Sequence, residues 1–264
     1  MSRPPEGTVE RWAWEYLHGT TLAGKLDPKA RPRTWEVDPP ARRVAAPGRP
    51  PELRIATRRH KPMGKNALER RERRVELVHT FLHHELQAAE LMAWALLAFP
   101  DTPRAFRVGL LGVLDDEARH MRLYADYLER HGATFGDLPV RDWFWERLPS
   151  CTTPRAFVAT MGMGFEAGNL DHTRRFAERL RAAGDEDAAT MTELVGEEEI
   201  PHVRFAMRWY VRFGGDTTFA GWRRELPAPL SPILMRGKPL DRAARKRAGY
   251  TDEFLDDLER FEAT

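Results

Sequence analysis

Four stretches of the chain set a glutamate in the middle of an otherwise largely apolar helical stripe, and few folds tolerate that arrangement. At spacings of three and four, the first stripe reads Val78, Leu82, Glu85, Ala89, Met92, Leu96, and the second reads Leu110, Val113, Glu117, His120, Tyr124, Leu128. The third reads Ala159, Met163, Glu166, Leu170, Thr173, Ala177, Leu180, and the fourth reads Thr192, Val195, Glu199, His202, Ala206, Trp209, Phe213. Residues three or four apart share one helix face, so each glutamate faces inward with its apolar neighbours. A buried carboxylate without a counter-charge is strongly unfavourable. Four of them, with two histidines each three residues after a glutamate, call for cations in the core.

Breakers delimit these stripes. The periodicity predicts helices over 68–99, ending at Pro100-Asp101-Thr102-Pro103, and 103–131, ending at Gly132. After a connection carrying Trp143, Phe144 and Trp145, Thr153-Pro154 reads as an N-cap with proline in the first turn. Helices over 154–183 and 185–213 follow, ending at Gly184 and at Gly214-Gly215. Short, long and short connections suit two antiparallel hairpins joined by one long crossover. The glutamates also meet at matching heights. Glu85 and Glu117 lie 32 residues apart and Glu166 and Glu199 lie 33 apart. At ~1.5 Å per residue, the arms of the first hairpin are each about 21–22 Å and those of the second about 27 and 21 Å.

The expectation is an all-α protein in three parts: a proline-rich extension over 1–67, the four-helix domain over 68–214, and a C-terminal helical arm over 215–264. Ten of the 20 prolines fall in residues 1–62. That segment should be mostly extended, with a short helix near Val9–Leu17, and its Trp12, Trp14, Tyr16 and Trp35 need a surface to pack on. The single cysteine, Cys151, excludes an internal disulfide and any thiolate cluster within one chain. No apolar run is long enough for a membrane span, and the N-terminus lacks an apolar signal region, so the expected location is cytoplasmic. The net charge of +2 is too small to imply a nucleic-acid partner. Residues 54–74 and 236–247 are locally basic, however, and read either as solvated helix faces or as a docking face for RNA.

The order Glu, Glu-x-x-His, Glu, Glu-x-x-His resembles the ferritin-like di-iron carboxylate superfamily. The stretch Asp116-Glu117-Ala118-Arg119-His120 is similar to that superfamily's Asp-Glu-x-Arg-His motif. PGRP at 47–50, HHELQAAEL at 83–91, DDEARH at 115–120, EAGNLD at 166–171, EEEIPHV at 197–203 and ARKRAGY at 244–250 resemble an uncharacterised bacterial ferritin-like family. The tRNA-modifying hydroxylase branch is similar at greater distance. The resemblance implies a ferritin-like four-helix bundle whose ligands are Glu85, Glu117, His120, Glu166, Glu199 and His202. They would hold two iron ions, as Fe/Fe or Mn/Fe. Asp116 and Glu198 would orient the ligand imidazoles. Pro201, inside the last Glu-x-x-His, departs from the pattern and should distort the helix locally.

Several neighbours need separate expectations. Glu90 is the rival to Glu85, but it lies about 140° further round the helix and leaves the stripe. His79, His83 and His84 read as surface or supporting groups, and His172 as structural. Tyr124, one turn beyond His120, reads as a core tyrosine or as a redox-active one, like the radical tyrosine of the ribonucleotide reductase small subunit. The expected function is a dioxygen-activating hydroxylase or oxidase acting on a small-molecule substrate. The rivals are a ferroxidase or iron-handling protein, a tRNA-modifying hydroxylase, and a structural bundle without catalytic metal.

Overall fold

The computed structural model describes residues 2–56, 64 and 66–262. Among these the protein is all-α, and its only extended pairings are isolated bridges between Thr8 and Thr34 and between Ile55 and Val140. The chain divides into two compact units, Met1–Pro149 and Ser150–Thr264.

In the first unit, α1 (Val9–His18) and α2 (Leu22–Leu26) precede α3 (Arg71–Ala98) and α4 (Arg104–Arg130). Thr8 and Thr21 cap α1 and α2 by accepting bonds from the Arg11 and Gly24 amides. Nearly every residue of α3 from Leu77 to Ala98 is buried, polar His79, His83, Glu85, Gln87 and Glu90 among them. A helix buried on all sides must be covered on all sides. Here α4 packs along one face, and α1 with the extended N-terminal chain covers another. Trp94 donates its indole N–H to the Val44 carbonyl at 3.0 Å, and the Arg42 amide donates to the Leu97 carbonyl at 2.8 Å. Gly48 of the PGRP stretch lets the chain pass α1 closely, because a Cβ there would meet the His18 carbonyl oxygen at 2.5 Å.

In the second unit, the expected single helix over 154–183 has three segments: α5 (Pro154–Thr160), a π-helical turn over Met161–Glu166, and α6 (Ala167–Ala182). The widened turn leaves backbone groups to be satisfied elsewhere. Tyr250 donates its hydroxyl to the Met163 carbonyl at 2.6 Å, and Trp222 donates its indole N–H to the Ala159 carbonyl at 2.9 Å. The glycines here are contact surfaces. A Cβ on Gly162 would come 2.1 Å from the Ala206 Cβ on α7 (Glu186–Arg212), and one on Gly164 would come 2.7 Å from the Met235 sulfur. Helix α7 runs unbroken through Pro201, whose exposed position keeps the missing N–H away from the core. Three short helices, α8 (Phe219–Glu225), α9 (Arg242–Ala248) and α10 (Asp252–Arg260), complete the unit.

Candidate metal centre

Within the first unit, α3 and α4 bring Glu85, Glu117 and His120 together. All three are buried, and each offers a ligand atom within 4.8 Å of the others. His120 Nδ1 lies 3.6 Å from a Glu117 oxygen and 3.9 Å from a Glu85 oxygen. Burial by itself lowers the basicity of the imidazole, but the Glu117 and Glu85 carboxylates outweigh it and push the pKa up to about 11. The pocket is thus one in which positive charge is strongly favoured, and these buried Glu and His side chains could hold a metal ion.

Within the second unit, Glu166 is the last residue of the π-helical turn and is buried. Glu199 and His202 are buried on α7, with His202 Nδ1 3.0 Å from one Glu199 oxygen. Asn169, three residues after Glu166 on the same face, donates its amide N–H to the other Glu199 oxygen at 3.2 Å. The sequence reading missed Asn169, although it stands in the register that histidine occupies on the second and fourth stripes.

Glu90, off the stripe that carries Glu85, is nevertheless fully buried. Lys25 Nζ donates to it at 2.7 Å, Arg49 Nη1 at 2.6 and 2.8 Å, and the Trp145 indole at 2.9 Å. Lys25 and Arg49 supply the counter-charge that a metal would supply elsewhere. Arg49 also bonds Asp142 at 2.7 Å. Burial favours the protonated form of Asp142, yet His83 and Arg49 hold its pKa down at about 2. His79 and His83 are likewise buried rather than at the surface. His79 Nε2 accepts the Gly136 amide N–H at 3.0 Å, and His83 Nε2 is 3.3 Å from Asp142. His84 is half-buried against the Phe144 ring. His172 is half-buried beside Arg175.

Tyr124 is buried with its ring 5.9 Å from that of Phe81. Asp116 is part-exposed and pairs with Arg119 on its own helix at 3.0 Å, and Glu198 is half-buried.

Five cations of the C-terminal basic stretch are engaged by groups of the protein itself. Arg245 is fully buried and pairs with Asp171 at 2.7 Å, and Arg236 is buried and donates to the backbone carbonyls of Leu258, Glu259 and Phe261. Arg242 pairs with Asp252, Asp256 and Glu259, Lys246 with Asp252, and Arg247 with Glu197. Of the other basic stretch, residues 57–63 and Lys65 lie outside the described residues. No helix among the described residues is long and apolar enough to cross a membrane.

A family model described as "Protein of unknown function (DUF455)" matches residues 11–256. A Haemophilus influenzae protein, described as "Uncharacterized protein", is 24% identical over 198 residues, covering 71% of this chain and 68% of its own length. No solved structure matches the chain.

Proposed function

The chain belongs to the DUF455 family, and we propose that in it the α3–α4 and α6–α7 pairs associate as a ferritin-like four-helix bundle around two metal ions. In this reading Glu85, Glu117, His120, Glu166, Glu199 and His202 are the ligands, the metals are iron as Fe/Fe or Mn/Fe, and the protein is a cytoplasmic dioxygen-activating oxidoreductase of the hydroxylase or oxidase type. The observation that carries it is the trio of Glu85, Glu117 and His120, buried together with ligand atoms within 4.8 Å of one another. Carboxylate oxygen with imidazole nitrogen, and no thiolate, is the donor set that iron and manganese accept. When bound, iron supplies the electrons that reduce dioxygen.

The remaining chemistry falls to the chain's own residues. Glu85, Glu117, Glu166 and Glu199 provide the negative charge, and their burial excludes bulk water. His202 and Asn169 each meet one oxygen of Glu199, which holds that carboxylate in one orientation. Asp116 and Glu198, each next to a ligand glutamate in sequence, are the groups proposed to orient the imidazoles. Tyr124, buried one turn beyond His120, is the residue proposed to exchange an electron and a proton or to shape the pocket wall. A small molecule is the preferred substrate over RNA. This preference rests on the pairing of Arg242, Arg245, Lys246 and Arg247 with carboxylates of the protein itself.

The test is anaerobic ferrous titration, followed by measurement of dioxygen consumption with a reductant. About two irons per chain and catalytic dioxygen use are expected. Iron accumulation far beyond two per chain, without turnover, would assign an iron-handling role instead. No uptake at all would remove the metal centre.

A further inference from the structure

The outer face of α7 and the turn between α9 and α10 border a cleft of about 390 Å³. This is near the small end of the roughly 300–1,000 Å³ typical of ligand sites. Arg204, Met207, Arg208 and Val211 reach it from one face of α7, at spacings of three and four. Tyr250 and Phe254 line it from the other side, with ring centroids 4.9 Å apart. Val211, 54% exposed, adds apolar surface to the α7 wall of the cleft. Gly249 lies between the two walls at φ +119°, a conformation that glycine adopts readily.

The charge at this cleft has one sign. Two guanidinium groups line it and no carboxylate does. Arg242, Lys246 and Arg247 nearby in the chain are each ion-paired. Arg204 and Arg208 form no ion pair among the described residues. Arg204 donates one N–H to the Arg247 carbonyl at 2.8 Å, which anchors the guanidinium without neutralising it. An apolar floor beside two uncompensated cations is complementary to a molecule with an apolar body and a negative head.

We propose that this cleft binds a small carboxylate with an apolar body, the carboxylate bridged by Arg204 and Arg208 and the body lying on Met207, Val211, Tyr250 and Phe254. The proposal is independent of the metal centre and concerns residues that take no part in it.

Isothermal titration of the full chain with octanoate and with octan-1-ol tests it. Octanoate should bind saturably at one site per chain and ~10-fold more tightly than the alcohol, the factor that about 1.4 kcal/mol of charge recognition produces. An Arg204→Gln/Arg208→Gln variant should bind octanoate no better than octan-1-ol. Val211→Trp should fill the cleft and weaken both. These positions are exposed, so the variants should melt like the parent. The proposal is overturned if octanoate gives no saturable binding or matches the alcohol in the parent protein. It is equally overturned if octanoate binding survives either variant unchanged.

Discussion

Lys25 Nζ lies 2.7 Å from Oε1 of Glu90, and both side chains are fully buried. The two residues are 65 positions apart, and their bond ties the N-terminal extension to the helix that carries Glu85. Glu90→Gln would leave Lys25 and Arg49 without their shared counter-charge. It should destabilise the protein by ~3–5 kcal/mol, and Lys25→Met by somewhat less, because Arg49 still neutralises Glu90. Urea denaturation of both variants measures this. A loss under ~1 kcal/mol for Glu90→Gln would show that the cluster is not the anchor described.

Metal content separates Glu85 from Glu90. Glu85→Gln and Glu117→Ala should each lose most bound iron while folding in the apo form, whereas Glu90→Gln should retain iron in whatever fraction stays folded. Asn169→Leu, which frees one Glu199 oxygen, should weaken metal binding by ~10-fold or more without unfolding the chain. Elemental analysis and a cobalt(II) titration followed in the visible range read all four. Iron lost by Glu90→Gln and kept by Glu85→Gln would reverse the assignment.

Acid sensitivity should pass through His79. Burial lowers its pKa to about 4 from an ordinary 6.5, with the charge of His83 adding to the effect and Asp137 opposing it. Between those values the folded state binds fewer protons than the unfolded chain. The contribution of neutral His79 is therefore complete above pH 6.5 and is lost as pH falls toward 4, by at most ~3 kcal/mol. His79→Gln should lower stability at pH 7.5 but flatten the decline below pH 6.5. Urea midpoints at pH 7.5 and 5 decide it, and an unchanged slope would assign the acid sensitivity elsewhere.

The glycine contacts of the π-helical turn should be intolerant of a methyl group. Gly162→Ala would press a Cβ to 2.1 Å from that of Ala206. Overpacking of this kind costs ~1–3 kcal/mol. Gly184→Ala is a different case, because nothing lies near its Cβ but its φ is +79°. Its penalty comes from backbone strain and should be about 1 kcal/mol. Thermal melts compare them, and a larger shift for Gly184→Ala would contradict the contact.

Binding to bulk tRNA should be weak and nearly flat across a salt series, since the cations of residues 242–247 are already ion-paired. Affinity that falls steeply with salt, and weakens further in Arg247→Ala, would revive the RNA reading. Arg245→Ala is unsuitable for this purpose. It removes the partner of buried Asp171 and should unfold the second unit.

What the sequence determined by itself were the features set by local periodicity and local breakers. The α3, α4 and α7 helices begin and end within three residues of the expected limits, because apolar spacing, Pro100, Gly132, Gly184 and Gly214 act through neighbours on the same helix. The Glu85, Glu117 and His120 cluster was legible for the same reason, since its register follows from residue spacing alone. Tertiary structure decided what depends on partners far along the chain. Spacing put Glu90 off the stripe, and its burial there depends on counter-charges from Lys25 and Arg49. Arg245 looked available to phosphate because Asp171 lies 74 residues before it. The π-helical turn at Met161–Glu166 was invisible because glycine and methionine there continue the same stripe as an α-helix would. Only the close approach of Ala206 and Met235, and the Tyr250 hydroxyl bonded to the Met163 carbonyl, give that backbone its own shape.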